Sequence, residues 1–310
     1  MIGTDVSVAK AMLDAGQLVA IPTETVYGLA GNALSESAVL AIYKAKNRPS
    51  FDPLIVHIGA EDWLPKLTTN VPIKAIQLIK QFWPGPLTLI LPKSDLIPDI
   101  VTSGLPFVGI RMPKHPLTVE LLSVLDFPLA APSANPFSYV SPTTAKHVED
   151  QLGDKIPYIL DGGPCVVGLE STIVSFENPD QPKILRFGGI EQEAIEKVVG
   201  PIEVSISNNS NPSAPGQLDK HYATTKKTHL VEQPYELLRF NEDHVFTIGY
   251  GEGVFSYNLS PTQNLDEIAQ QLFKALRIAD ASEQTEVAIS KVANLGIGRA
   301  INDRMMRAAG

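Results

Sequence analysis

Apolar positions along the first two-thirds of the chain switch repeatedly between helical spacing and short unbroken runs. Val8 to Ala15 has the spacing of a helix closed by Gly16, Leu18 to Ile21 reads as a strand, and Glu36 to Lys46 returns to helical spacing. Strands follow at residues 54–58, 87–91 and 107–110, with a helix over 72–82 before the second of them. Helices over 117–125, 143–152 and 191–199 alternate with strands at 129–131, 158–160, 171–176 and 183–186. Several neighbouring strands have no helix between them, so parallel crossovers cannot join them all, and the pattern predicts an α/β domain built on a twisted mixed sheet. Ser205 to Gly216, SISNNSNPSAPG, is polar and rich in Ser, Asn and Pro, with nothing to bury, and reads as a linker. Beyond it lies a smaller α/β unit with strands at 245–250 and 286–289 and helices over 265–281 and around 300–308. The boundaries are 1–203 for the large domain, 204–227 for the linker and 228–310 for the small domain, which is short for independent stability and should dock on the first.

Length agrees with two domains, since 310 residues is long for a single core. An apolar fraction of 44% with 19% charged residues is that of a globular protein. No apolar run approaches the roughly 20 residues of a membrane span, and MIGTDVSVAK has neither the basic start nor the apolar core of a signal peptide, so a cytoplasmic location is expected. Cys165 is the sole cysteine, which rules out an internal disulfide and a thiolate zinc site. The histidines at 57, 115, 147, 221, 229 and 244 lack metal-ligand spacing. A formal charge of −9 argues against a broad nucleic-acid surface while leaving room for a local basic cleft.

The chemistry concentrates in IPTETVYGLAGNALSESAVLAIYKAKNRPSFDPLIVH, residues 21–57. Neither G-x-x-x-x-G-K-[ST] nor a strand-linked G-x-G-x-x-G occurs, so a bound nucleotide would need side chains and irregular loops. No G-x-S-x-G elbow is present. Pro22 stops a strand and leaves Thr23, Glu24 and Thr25 at its mouth, where open α/β sheets place ligands. Threonines there are more commonly turn residues bonding their own backbone. Lys44, Lys46 and Arg48 end the next helix, where cations also simply complement the helix dipole, and Pro49 is expected to stop that helix. His57 lies in an apolar strand, more often the place of a satisfied core residue. Further along come Thr102, Ser103 and Arg111, then Ser133, Asn135 and Ser141 before a helix N-terminus at Thr143 and Thr144, then Ser171, Thr172 and Arg186. Each is weak alone. Together Lys46, Arg48, Arg111 and Arg186 supply enough positive charge for a carboxylate plus a polyphosphate.

Through IPTETVYGLAGNA, KAKNRP, PLIVHI, WPGPLTLIL, VGIRMPKHP, AAPSAN, SPTTAKHV, LDGG, GLESTIV and LR, in that order, the chain resembles the threonylcarbamoyl-AMP synthase family, the YrdC-like enzymes of tRNA modification. APGQLDKHYAT and GIGRAINDRMMRAA extend the resemblance to the longer two-domain form. It implies a YrdC-like catalytic domain, a Rossmann-like α/β C-terminal domain and a linker that folds over the site as a lid. The implied reaction joins L-threonine, bicarbonate or CO2 and ATP into threonylcarbamoyl-AMP and pyrophosphate. The product would pass to a threonylcarbamoyl-transferase complex, with tRNA involved at most indirectly and no membrane. Carried over by position, Thr23, His57, Arg111 and Ser171 contact L-threonine, Arg111 being the carboxylate partner. Lys46, Arg48, Ser50, Thr102, Ser133, Asn135, Ser141, Arg186, His221 and Tyr222 line the ATP side, with Lys46, Arg48 and Arg111 supporting the chemistry. Mg2+ is expected on the ATP phosphates, with no dedicated protein site.

Departures from the pattern fall at Asp52, Ser138, Tyr139, Phe187, Gln217 and Thr224, in the phosphate and lid loops. A carbamoyl-adenylate enzyme of hydrogenase maturation would carry an acylphosphatase-like segment and paired C-x-x-C motifs, which are missing here. A YrdC-like nucleotide- or RNA-binding module without catalysis is the rival of another class. Its RNA form would need aromatic residues interleaved with a basic face, and the net charge disfavours it.

Overall fold

A computed structural model describes residues 1–49, 51–206 and 222–310. The large domain's strands are β1 (Ile2–Gly3), β2 (Val19–Ile21), β3 (Gly28–Asn32), β4 (Ile55–His57), β5 (Leu87–Pro92), β6 (Phe107–Arg111), β7 (Leu129–Ala130), β8 (Tyr158–Leu160), β9 (Thr172–Ser175), β10 (Lys183–Arg186) and β11 (Glu203–Val204). They form one sheet in the order β1-β8-β2-β3-β7-β4-β6-β5-β9-β10-β11. Pairing is mixed as expected: β4 with β6 and β5 with β9 are parallel, while β3 with β7, β4 with β7 and β5 with β6 are antiparallel.

Alternation along the central strands sorts the two faces. Val56, Val108, Ile110, Leu89, Leu91 and Val174 join the main core, which also takes the inner faces of helices Glu36–Lys46 and Ile73–Phe82. The opposite face carries a smaller apolar cluster of Ile55, Ile90, Ile173 and Leu185. Along the same face run His57, Arg111 and Thr88, which are register partners across β4, β6 and β5. One transverse row of the sheet therefore brings together a histidine, an arginine and a threonine from three separate segments.

The small domain contains β12 (Lys227–Val231), β13 (Val245–Gly249), β14 (Tyr257–Asn258) and β15 (Glu286–Ser290), all parallel in the order β12-β15-β13-β14. Its core is closed by Val26, Val140 and Leu169 of the large domain, packed with Leu272, Phe273 and Met305. The loop at Gly168 lies against helix Leu265–Ala281 so closely that a Cβ there would sit 2.4 Å from the Cα of Gln270, and its φ of +76° adds a second reason for glycine. As expected of so short a unit, it docks. Strand β11 reaches one residue beyond the sequence-derived limit at 203, and β12 begins at the last residue assigned to the linker. Residues 207–221 of that linker, and Ser50, lie outside the described residues.

Candidate active site

Thr23 organises the mouth of β2. Its hydroxyl donates to the carbonyl of Val26 at 2.6 Å and accepts the amides of Thr25 and Val26 at 3.2 Å, the self-bonded turn that the bland reading anticipated. The turn also serves the site, because Thr23 and Thr25 line a buried cavity with His57, Arg111, Ser133, Ser171 and Arg186. Arg111 donates from Nη1 to Thr25 Oγ1 at 2.8 Å and from Nε to the Gly85 carbonyl at 3.2 Å, and its Nη2 pairs with Glu24 Oε1 at 2.7 Å. Glu24 thus holds the arginine that the family resemblance pairs with a substrate carboxylate. His57 is neutral: burial, with the Arg111 charge adding to it, lowers its pKa to about 3.

Ser171 links the two ends of the cavity. Its hydroxyl lies 2.7 Å from that of Thr88, and Arg186 donates from Nε and Nη2 to the Ser171 carbonyl at 3.1 and 2.9 Å and from Nη2 to the hydroxyl at 3.1 Å. Lys46 is not itself on the cavity wall: it donates from Nζ to the carbonyl of Ser133, which is, at 2.5 Å, and to the Asn135 carbonyl. Burial drives its pKa well below the usual lysine range, the Arg48 charge pushes the same way, and Asp52 opposes both. Arg48 donates to the carbonyls of Asp52 and Pro53 at 3.0 Å and pairs with Asp52 Oδ2 at 2.8 Å. Asp52 is fully buried; burial raises its pKa against the pull of Arg48, Lys46 and Arg186. Asp52 is thus ion-paired with Arg48 and lies within the electrostatic reach of Lys46 and Arg186, a buried carboxylate whose place a polyanion could take.

Helix Glu36–Lys46 ends at Asn47, whose φ of +53° turns the chain two positions before the Pro49 expected to stop it. Thr102 is not brought to the cavity wall: its hydroxyl donates to the Leu105 carbonyl at 2.8 Å and completes its own turn. Asn135 is buried beside Lys46 and donates from Nδ2 to the carbonyls of Pro136 and Tyr139 at 2.8 Å, which makes it a support of the loop that Lys46 grips. Ser141 donates to Glu170 Oε1 at 2.6 Å, and Glu170 lines the cavity. Tyr222 seals it, fully buried, stacked on Phe273 at 5.3 Å between ring centres. Ser50 and His221 lie outside the described residues. The sequence reading missed Thr88, Glu170 and Arg304 as neighbours of the site and left Glu24 without a partner. Glu24 stood inside the hydroxyl-rich turn and Glu170 beside Ser171, but their partners Arg111 and Arg304 are distant in sequence.

Two family models match the chain: one described as telomere recombination, shared by Sua5, YciO and YrdC proteins, over residues 11–188, and the threonylcarbamoyl-AMP synthase C-terminal domain over 190–310. Threonylcarbamoyl-AMP synthase of Pyrococcus abyssi is 40% identical over 98% of this chain and 94% of its own length. The Bacillus subtilis enzyme of that name is 42% identical over 97% and 92%. The chain belongs to the threonylcarbamoyl-AMP synthase family. The crystal structure of P. abyssi Sua5 complexed with L-threonine superposes with a TM-score of 0.92 at 38% identity, covering 98% of this chain and 94% of that one. Within this threonylcarbamoyl-AMP synthase fold the departures acquire contacts. Ser138 holds a φ of +64°, a turn conformation that glycine adopts more readily, and its carbonyl accepts the Ala223 amide at 3.1 Å. The Tyr139 hydroxyl donates to Asp280 Oδ2 at 2.5 Å, and Thr224 donates to the Lys226 carbonyl at 2.8 Å. Gln217 lies outside the described residues.

Proposed function

We propose that this protein condenses L-threonine, bicarbonate or CO2 and ATP into L-threonylcarbamoyl-adenylate and pyrophosphate, acting as a nucleotidyltransferase. The observation that carries this reading is the convergence of two differently built ends on one cavity. One end offers neutral His57, the Thr23 and Ser171 hydroxyls and the Glu24-held Arg111, which suit an amino acid. The other offers Arg48 and Arg186, with Lys46 buried behind Ser133 of the wall, which suit phosphates.

The amine of threonine takes up CO2 with loss of a proton, a carbamate oxygen attacks the α-phosphorus of ATP, and pyrophosphate leaves. Negative charge gathers on the phosphates, so catalysis rests on positioning and electrostatic stabilisation without a protein nucleophile. A phosphate group beside Lys46 would reverse the burial that depresses its pKa and keep the ammonium charged. Neutral His57 would leave the threonine amine free of a competing cation. Arg111 would meet the threonine carboxylate while Glu24 fixes its plane. Mg2+ would enter with ATP on its phosphates.

The cavity holds only about 50 Å³, against roughly 300 Å³ or more for a typical small-molecule site, so the segment bearing Tyr222 would have to move to admit a nucleotide. Its return would shield a labile acyl phosphate from water. The product would pass to a threonylcarbamoyl-transferase complex in the cytoplasm, tRNA being met there.

The test is pyrophosphate release from ATP. Release should require both L-threonine and bicarbonate, and equal release without threonine, or with serine replacing it fully, would overturn the assignment.

A further inference from the structure

The small domain meets two residues of the cavity lining, Glu170 and Tyr222, through the Arg304 guanidinium. Arg304, on helix Gly298–Ala309, is fully buried and donates in three directions: from Nε to Glu170 Oε2 at 3.0 Å, from Nη1 to Asp303 Oδ2 at 2.6 Å, and from Nη2 to the Phe187 carbonyl at 2.7 Å. Its carbon lies 5.2 Å from the centre of the Tyr222 ring. Asp303 is itself held by Arg307 Nε at 3.0 Å. The far oxygen of Glu170 accepts the Ser141 hydroxyl at 2.6 Å, so a continuous chain runs from Arg304 through Glu170 to a residue placed on the ATP side. Phe187 supplies the carbonyl that fixes the plane of the guanidinium.

A bland account makes Arg304 a staple between domains. Buried ion pairs are poor staples, because desolvation offsets most of their attraction and apolar packing of equal volume does as well or better. Glu170 explains the expense more directly. It lines the cavity beside Ser171 and within the electrostatic reach of Arg186, so an uncompensated carboxylate there would repel phosphates at their own binding site.

We propose that Arg304 is a positioning residue for the nucleotide: it holds and neutralises Glu170, which keeps Ser141 oriented and lets ATP phosphates approach Arg186. The inference rests on the ATP site proposed above. It gives the small domain a share in substrate binding.

Four variants of the full chain test it: Arg304→Met, Arg304→Lys, Glu170→Gln and the Arg304→Met/Glu170→Gln pair. ATP and L-threonine dissociation constants are measured separately by calorimetry, alongside kcat and KM for pyrophosphate release. Arg304→Met should weaken ATP at least tenfold and leave L-threonine within twofold, and the double variant should regain most of the ATP affinity because the repelling charge is gone. Equal weakening of both ligands, or a double variant no better than Arg304→Met, would make Arg304 only a staple. Should Arg304→Met fail to fold, Arg304→Lys carries the test, since it keeps the charge but not the planar fork. ATP weakened about threefold with threonine unchanged supports the proposal, and unchanged ATP affinity overturns it. A wild-type protein that releases no threonine-dependent pyrophosphate would defeat the proposed function, while direct ATP binding would still report on Arg304.

Discussion

Asp52 sets two demands on the phosphate side against each other, and Asp52→Asn separates them. Its carboxylate lies 2.8 Å from Arg48 Nη2 and is the acidic group shared by Arg48, Lys46 and Arg186. At an effective dielectric constant of about 20 the gross attraction over that distance is about 6 kcal/mol. Desolvation offsets much of it, and removing one partner of a buried pair typically costs about 3 kcal/mol or somewhat more. The ligand-free variant should therefore lose about 3 kcal/mol, or about 5 °C in Tm for a chain of this size. Phosphates then meet Arg48 and Arg186 with no internal anion competing for them, and ATP affinity should rise about tenfold, equivalent to about 1.4 kcal/mol. Differential scanning fluorimetry with and without ATP reads both effects: a lower starting Tm and a larger ATP-induced rise. Unchanged ligand-free stability combined with weaker ATP binding would refute the reasoning, because it would make Asp52 a contributor to nucleotide binding and not a stand-in for phosphate.

The buried neutral His57 binds no proton in the folded state until pH nears 3, whereas the unfolded side chain titrates near 6.5, so the unfolded state holds more protons between those values and stability falls as pH drops through that window. The loss should approach about 1 kcal/mol per pH unit, and urea melts of His57→Gln at pH 7 and pH 5 should show a smaller drop than wild type; an equal drop would place the acid sensitivity elsewhere. Lys46→Met should lower threonine-dependent pyrophosphate release at least tenfold, about 1.4 kcal/mol of transition-state stabilisation, and a wild-type rate would return Lys46 to a structural role. At Ser138, φ of +64° tolerates Gly but not a β-branched side chain, so Ser138→Val should cost about 2 kcal/mol in thermal unfolding while Ser138→Gly stays within about 0.5 kcal/mol. Comparable losses in both would mean that the Ser138 side chain, and not the turn, matters.

Elements with strong periodicity were legible in the sequence. Helix Glu36–Lys46 and helix Leu265–Ala281 fall at their expected limits, the first capped by Ser35 and the second by Asn264. Strand β3 was missed because GLAGN is built of small residues that fit a crowded sheet centre without an apolar run: a Cβ at Gly31 would come within 3.0 Å of Leu18. Strand β12, KTHLV, was missed because it is an edge with polar residues. At the site, the cations stood out because Lys and Arg at element ends are conspicuous in a sequence. Their counterions did not, since Glu24 meets Arg111 and Glu170 meets Arg304 only through tertiary structure. Thr102 is the opposite case: a hydroxyl near a basic segment says nothing about whether its own turn will engage it, and here the turn does.

The row formed by His57, Arg111 and Thr88 limits how such a site can change over time. A single-residue insertion inside β4 would turn His57 into the apolar core and bring Val56 to the ligand side, losing function and folding together. An insertion of two residues would restore the facing but carry the imidazole about 6.6 Å along the strand, out of reach of its neighbours. Length variation is therefore confined to the connections, and new specificities must arise by exchanging side chains within a lattice whose spacing is fixed.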